Sequence, residues 1–158
     1  MGADHQNSHE TLTAANMPAG AVIFTHIDDE TGKVTTYSVT HLWLRVKDAV
    51  KAGQLKSTRI PVDRDFAKYC REHRGIEKHR LQRIKTKHLD EPLLMATQPS
   101  GTHLLVDGHH RYVKAANLMK RTLPAYVLPP SFWASCVVEM DEQALTPEDL
   151  KRMFSGIN

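Results

Sequence analysis

The sequence lacks the features that mark several classes of protein. Only two cysteines occur among 158 residues, Cys70 and Cys136, and they form no C-x-x-C pair, so neither a disulfide framework nor a thiolate zinc site is predicted. The longest apolar runs, such as residues 93–96, are far shorter than the roughly 20 residues of a membrane-spanning helix. No apolar stretch follows the N-terminus as it does in a secretory signal. We therefore expect a cytoplasmic protein that makes no contact with a membrane.

The charge is small in total but unevenly distributed. Apolar residues make up 41% of the chain, as in ordinary globular proteins, and the formal net charge is +3. Between Arg71 and His88, however, seven Lys and Arg stand against two Glu. This segment, here called the basic stripe, predicts a polyanionic partner, either nucleic acid or nucleotide phosphate, and its alternative interpretation is a solvated helix face. The candidate contacts to nucleic acid are Arg80, Arg83 and Lys87.

The polarity pattern divides the chain into four parts. Residues 1–18 are polar and show no period, which predicts a mobile tail. Residues 19–57 form an N-terminal extension with a hairpin and a helix, and residues 58–128 alternate short strands with helices. Residues 129–158 are predicted to contain two C-terminal helices.

The predicted elements follow from periodicity and from capping residues. The predicted strands cover residues 21–25, 33–39, 58–62, 92–97, 102–106 and 123–128. The predicted helices cover residues 41–52 with Thr40 as cap, a segment after Asp63 or Asp65 that ends near Gly75, and residues 77–88, 109–120, 131–139 and 147–154.

The segment with the clearest chemistry lies where a buried strand turns into a helix. Asp107 and Gly108 follow the strand, and the helix then begins with His109, His110 and Arg111. The free backbone N–H groups and the positive dipole end of a helix start bind anions, and a glycine there lets a ligand approach closely. Arginine adds a bidentate donor that suits phosphate, and the imidazoles can donate hydrogen bonds or transfer protons. The segment therefore predicts a phosphate site.

Two other interpretations apply to the same turn. An Asp-Gly pair before a helix is a common cap and turn with no further role. The adjacent histidines could instead ligate zinc, but neighbouring helical residues diverge by about 100° and no partner lies at the i,i+4 spacing. We accordingly predict no metal site in which these residues are the ligands.

The turn resembles the signature of a known superfamily. Residues 106–112 (VDGHHRY), an alanine-bearing helix and residues 122–128 (TLPAYVL) are similar to the ParB/sulfiredoxin-like superfamily, in which a D-G-x-H-R or G-G-C-H-R turn precedes a helix and an I-P-x-x-V strand. The resemblance covers residues 58–128 and implies an α+β fold with a small mixed sheet and packed helices. The cysteine of sulfiredoxin aligns with His109, so sulfinic-acid repair is not expected. Too few residues follow the last strand for the DNA-reading helices of the partitioning proteins.

The resemblance also implies a ligand and site residues. Gly108, His110 and Arg111 match the phosphate-contacting positions of the superfamily, and the ligand would be ATP or another nucleotide, with magnesium as an accompanying ion. Within that site, Asp107 is the candidate metal contact or general base and His109 the candidate for proton transfer; Asp63 and Glu91 are weaker candidates.

Three functions are compatible with these features. The first is an enzyme that hydrolyses the nucleotide's terminal phosphate or transfers it to an acceptor. The second is a DNA-binding protein or nuclease of plasmid or phage type that uses the basic stripe. The third is an inhibitor without catalysis, which would bind a partner protein through C-terminal residues that otherwise pack on the core: Phe132, Trp133, Met153 and Phe154.

Overall fold

The computed structural model describes residues 11–139, which form an α+β fold. The strands are β1 (Leu12–Thr13), β2 (Ile23–Ile27), β3 (Val34–Ser38), β4 (Thr58–Pro61), β5 (Leu93–Thr97), β6 (His103–Asp107), β7 (Thr122–Leu128) and β8 (Val137–Glu139). The α-helices are α1 (Val39–Lys51), α2 (Arg64–His73), α3 (Lys78–Arg83), α4 (His109–Asn117) and α5 (Pro130–Trp133). Three short 3-10 helices cover Ala14–Asn16, Thr86–Asp90 and Ala134–Cys136.

The predicted α+β class is confirmed, and the strands form two small mixed sheets. The outer sheet has the order β1-β8-β3-β2, and the central sheet has the order β4-β7-β5-β6. In the central sheet β5 and β7 run parallel, while β4 pairs antiparallel with β7 and β6 pairs antiparallel with β5. The central sheet therefore contains every strand predicted within residues 58–128, and the predicted hairpin of β2 and β3 belongs to the outer one.

Both faces of the central sheet are buried. Successive side chains of a strand point to opposite faces, so neighbouring residues of one strand enter different cores. Leu94 of β5 faces one core with Phe24 and Tyr37 of the outer sheet and Leu42 of α1. Its neighbour Leu93 faces a second core. That second core also contains residues of the central sheet and of α2 and α4: Leu105, Leu123, Ala67, Tyr112 and Ala115. The helices α2 and α4 thus lie on the opposite side of the central sheet from the outer sheet.

Two helix starts are set by side-chain caps. Asp63, one of the two predicted caps, begins α2, because its carboxylate accepts hydrogen bonds from the backbone N–H groups of Asp65 and Phe66. For α1 the predicted cap, Thr40, is wrong. Ser38 accepts from the N–H of His41 at 3.2 Å, whereas the Thr40 hydroxyl accepts from the N–H of Val22 at 2.9 Å. Thr40 therefore joins α1 to the chain before the hairpin.

The helix predicted over residues 77–88 is wrong in its extent. Helix α3 ends at Arg83, Ile84 is extended, and a 3-10 helix covers Thr86–Asp90. The backbone N–H of Lys85 donates to the His88 ring, which fixes the new turn. After this change of direction Leu89 is buried in the core, and Ile84 packs against the same core.

The helix predicted over residues 131–139 is also wrong. Helix α5 ends at Trp133, and Val137–Glu139 form β8, which pairs with β3 and with β1. Trp133 is buried and donates its indole N–H to the carbonyl of Thr97 at 2.9 Å, while Phe132 lies under Arg45 at 4.7 Å. These two aromatic residues pack on the protein itself. The helix predicted over residues 147–154, with Met153 and Phe154, lies outside the described residues.

Part of the predicted mobile tail has a defined place. Leu12 and Thr13 form β1, which pairs in parallel with Val138 and Glu139 of β8. A strand of two residues is too short to show a period, so no periodicity predicts it. Residues 1–10 lie outside the described range. Within residues 11–139, none of the helices combines the length and the apolar character needed to span a bilayer.

Candidate functional site

The turn between β6 and α4 requires a glycine at position 108. Gly108 has φ of +108°, in the left-handed region that side chains disfavour. A Cβ atom at this position would also overlap with Cδ2 of Leu93. Leu93 itself is fully buried, so its displacement would disturb the second core. Position 108 therefore accepts only glycine, and Leu93 fills the place of its missing Cβ.

Helix α4 begins without a side-chain cap. Gly108 supplies only its carbonyl, which accepts from the N–H of Tyr112 at 2.9 Å. The N–H groups of the first helical residues have no intrahelical carbonyl to bond, and they carry the positive end of the helix dipole. The start of α4 is therefore a place where an anion is stabilised.

Arg111 is held beside this turn by backbone carbonyls. Its Nη1 donates to the carbonyl oxygens of Glu91 at 2.6 Å and of Pro92 at 3.3 Å. Its Nη2 lies 3.3 Å from the point where a Cβ of Gly108 would stand and makes no hydrogen bond to any residue between 11 and 139. One side of the guanidinium is thus anchored, and the other side remains available as a donor next to Gly108.

His110 is buried and its tautomer follows from its hydrogen bond. Its Nε2 accepts from the backbone N–H of Glu77 at 3.2 Å, so the proton of the neutral ring is on Nδ1. Burial lowers the pKa of His110, and the neighbouring charge of Arg80 lowers it further, so the ring is neutral at neutral pH. His110 lines the cleft described below, where its Nδ1–H is a donor and not an acceptor.

His109 is located in the core rather than at the surface. Its side chain is 2% exposed and stacks on Phe24 of β2 with ring centroids 5.2 Å apart. Burial lowers its pKa to about 3, and the charge of Arg74 contributes in the same direction. A neutral ring with so little exposure to water is a poor proton carrier. This position supports a packing role for His109.

Asp107 is connected to a residue that sequence analysis did not assign to the site. The indole N–H of Trp43, on α1, donates to Oδ2 of Asp107 at 2.7 Å. Asp107 ends β6, and the register of β5 and β6 shifts between Leu94 and Met95, opposite this residue. Trp43 fixes one carboxylate oxygen, and Asp107 is also among the residues that line the cleft.

These residues surround a cleft of about 200 Å³. Arg80 and Ile84, from α3 and the segment after it, form the wall opposite the turn. The lining thus combines two guanidinium groups, from Arg80 and Arg111, with one carboxylate, from Asp107. The net positive lining and the start of α4 favour a small anion with several acceptor oxygens. The full lining consists of Arg80, Ile84, Asp107, Gly108, His109, His110 and Arg111.

The structure brings together the turn residues and one member of the basic stripe. Arg80 lines the cleft, whereas Arg83 and Lys87 are exposed side chains that do not line it. The two weaker candidates have other roles. Asp63 caps α2, and Glu91 contributes its backbone carbonyl to Arg111. Among residues 11–139, no group of three His, Cys, Asp or Glu side chains is arranged to hold a metal ion.

Two residues that support the turn from a distance have no local signal in the sequence. Trp43 binds Asp107 across 64 positions of sequence, and Leu93 restricts position 108 to glycine. No local pattern carries either contact, because both arise when α1 and β5 pack against β6. Comparison with protein-family models, with curated proteins and with solved structures returns no match.

Proposed function

We propose that the cleft binds the phosphate groups of a nucleotide such as ATP and that the protein hydrolyses or transfers the terminal phosphate. The observation that carries this proposal is the half-anchored guanidinium of Arg111, whose Nη2 stands beside Gly108 at the uncapped start of α4. An arginine already held in place loses little side-chain freedom when it binds a phosphate.

The size of the cleft defines which part of the ligand it takes. At about 200 Å³ it is smaller than the 300–1,000 Å³ typical of pockets that enclose a whole small-molecule ligand. It suits one or two phosphate groups, with the nucleoside lying outside. Arg80 and Arg111 would contact the phosphate oxygens, and the Nδ1–H of His110 would donate a further hydrogen bond.

Asp107 is the acidic residue of the cleft and therefore the candidate for the chemical step. With Oδ2 occupied by Trp43, Oδ1 is the oxygen that would accept a proton from an attacking hydroxyl or contact magnesium. Magnesium binds proteins through one or two carboxylates together with substrate phosphates, and one carboxylate is what this cleft supplies. When bound, the ion would neutralise part of the phosphate charge.

The binding part of the proposal is tested by Arg111→Ala. We expect the wild-type chain to show a raised melting temperature with ATP, ADP, GTP or CTP, because a ligand at 100 times its Kd adds about 2.7 kcal/mol of stability. Arg111→Ala should weaken nucleotide binding at least tenfold by calorimetry, since charge-assisted hydrogen bonds contribute about 1.5–3 kcal/mol. Arg121→Ala, which removes an exposed arginine that does not line the cleft, is the matched control.

The chemical part is tested separately by Asp107→Asn. The amide keeps the shape of the side chain and an oxygen that accepts from Trp43. We expect nucleotide affinity within about threefold of wild type and a loss of phosphate release or transfer. Unchanged nucleotide affinity in Arg111→Ala would refute the nucleotide-binding site. Full turnover in Asp107→Asn would refute only the catalytic role of the carboxylate and would leave the binding site standing.

A second candidate function is binding of a nucleic-acid backbone, since a phosphodiester presents the same oxygens to the cleft. The supporting observation is Arg80, which belongs to the basic stripe and also lines the cleft, with Arg83 exposed on the same short helix. Changing Arg80, Arg83 and Lys87 together to Glu should abolish DNA binding and its salt dependence. DNA affinity that neither falls nor loses its salt slope in this variant would exclude the second candidate.

A further inference from the structure

A second concavity lies one helical turn beyond the cleft and has a different lining. It occupies the space between α2, α3 and α4 and has a volume of about 510 Å³. Lys114 and Asn117 line it from α4, and they share one helix face with His110 of the cleft because they follow it at the i+4 and i+7 positions. We call it the helical groove.

The helical groove is cationic and contains no acidic residue. Arg71, Lys78 and Lys114 come from three different helices, and none of the seven lining residues is Asp or Glu. Between residues 11 and 139, none of these three cations forms an ion pair with a carboxylate. Like charges gathered in one concavity repel each other, and an anionic partner would relieve that repulsion.

The floor of the helical groove is aliphatic. Ile76 and Leu81 lie half-buried among the cations. No aromatic ring lines the groove, so it offers no surface on which a nucleic-acid base could stack. An aliphatic side chain of a ligand, in contrast, would bury apolar area against both residues.

Part of the wall is fixed and offers peptide-like hydrogen bonds. Nη1 of Arg71 donates to Oδ1 of Asn117 at 3.1 Å, which ties α2 to the end of α4. The amide group of Gln82 lines the groove from α3. Amide side chains both donate and accept, as the main chain of a bound peptide requires. The combination of a fixed wall, spaced cations and an aliphatic floor differs from that of the phosphate cleft.

We propose that the helical groove docks a short acidic peptide segment of a partner protein, in which Asp or Glu residues flank an aliphatic side chain. The carboxylates meet Arg71, Lys78 and Lys114, and the aliphatic side chain rests on Ile76 and Leu81. Recognition of acidic motifs by clustered cations is a general mode of peptide binding. The proposal does not depend on the function of the neighbouring cleft.

The test begins with selection of peptides from a displayed library of random heptapeptides on the full chain. We expect enriched sequences with two or more acidic residues around a Leu, Ile, Val or Met. Fluorescence anisotropy with the enriched peptides, synthesised and labelled, should then give a Kd that rises as salt is added. An absence of enriched sequences, or enrichment without acidic residues, would overturn the proposal.

Paired charge reversals locate the binding site. Lys78→Glu with Lys114→Glu should raise the Kd of an enriched peptide at least tenfold. The matched control, Lys47→Glu with Lys51→Glu, reverses two exposed charges on α1 and should leave the Kd within twofold. Lys78→Ala with Lys114→Ala adds no negative charge and should still raise the Kd at least threefold, and melting curves establish that each variant is folded.

Two further results would decide against the peptide. Equal peptide affinity in the wild type and in the Lys78→Glu, Lys114→Glu variant would remove the groove as the binding site. Tight binding of oligo-dT that is lost in that variant, with no peptide enriched, would assign the groove to nucleic acid instead. Nucleotide binding by Arg111→Ala has no bearing on either result. The proposal for nucleotide binding in the cleft and the proposal for peptide binding in the helical groove can therefore fail independently.

Discussion

At the scale of single residues, position 108 has two separate constraints. The backbone there is left-handed, and the side chain of Leu93 occupies the place of a Cβ. Gly101, in the turn between β5 and β6, has the first constraint with φ of +93° but no atom within 4 Å of its own missing Cβ. The two glycines therefore allow the effect of backbone conformation to be separated from the effect of crowding.

Alanine substitutions should show that difference in stability. Gly101→Ala carries only the conformational cost, of about 1 kcal/mol. Gly108→Ala adds the displacement of a buried leucine, and overpacking of a core costs about 1–3 kcal/mol. We expect Gly108→Ala to lower the free energy of unfolding, measured by urea titration, by at least 1 kcal/mol more than Gly101→Ala does. Equal losses would show that Leu93 moves without cost.

The residues of the turn could be identified from the sequence, and those that support it could not. Asp107, Gly108, His110 and Arg111 are adjacent in the chain, so their types and order already predict an anion site. His109 has the same local signals, yet it stacks on Phe24 of the outer sheet. The orientation of α4 toward its neighbours decides which of the two adjacent histidines stacks in the core. No local sequence pattern encodes that orientation.

At the scale of elements, the start of α2 shows how a cap is chosen between two aspartates. Either Asp63 or Asp65 satisfied the sequence pattern, and the structure selects Asp63, whose Oδ1 accepts two backbone N–H groups. Its own N–H also donates to the hydroxyl of Tyr112 at 2.6 Å, which attaches the start of α2 to α4.

The two aspartates make a matched pair of variants. Asp63→Ala should lower the free energy of unfolding by about 1 kcal/mol, the usual loss for a helix cap. Asp65→Ala keeps the cap and removes only a first-turn charge, which contributes about 0.3–1 kcal/mol at low salt and less as salt is added. Thermal or urea unfolding in 0.5 M salt should therefore separate the variants, and a larger loss for Asp65→Ala would contradict the observed cap.

The elements that sequence analysis predicted wrongly share a physical cause. Residues 77–88 and 131–139 have enough helix formers to favour a helix locally, but the structure needs Leu89 in one core and β8 beside β3. Tertiary packing overrides helix propensity where burying a side chain or pairing a strand edge contributes more stabilising free energy than the helix would. The hairpin, α2 and the strands around the cleft were predictable because their local and tertiary preferences agree.

At the scale of the whole molecule, His109 links the two sheets. It follows β6 of the central sheet and stacks on Phe24 of the outer one, and the guanidinium of Arg74 lies over the same phenyl ring at 5.0 Å. Protonation of His109 would bury a second positive charge near Arg74. The joint between the sheets is therefore sensitive to acid.

Stability should decrease below the ordinary histidine pKa. His109 has a pKa lowered from 6.5 to about 3 in the folded chain, so between these values the unfolded chain binds the extra proton. Its contribution is complete above pH 6.5 and declines by about 1.4 kcal/mol per pH unit as the pH falls toward 3. His26 and His110, whose pKa values are also lowered, act in the same direction.

Two histidine variants test this assignment. His109→Phe keeps an aromatic ring against Phe24 and removes the proton site. The slope of unfolding free energy against pH between pH 6 and pH 4 should then correspond to about one fewer proton taken up on unfolding than in the wild type. His103→Gln changes an exposed histidine of β6 and should leave the slope as in the wild type. An unchanged slope in His109→Phe would place the acid sensitivity elsewhere.

The outer sheet joins residues from opposite ends of the described chain, since β1 and β3 both pair with β8. During synthesis on the ribosome, β2 and β3 emerge early, and all strands of the central sheet emerge before residues 137–139 do. The edge of β3 that receives β8 stays open throughout that interval. Exposed strand edges pair with other chains, so translation of this protein passes through a stage in which association between nascent chains competes with folding.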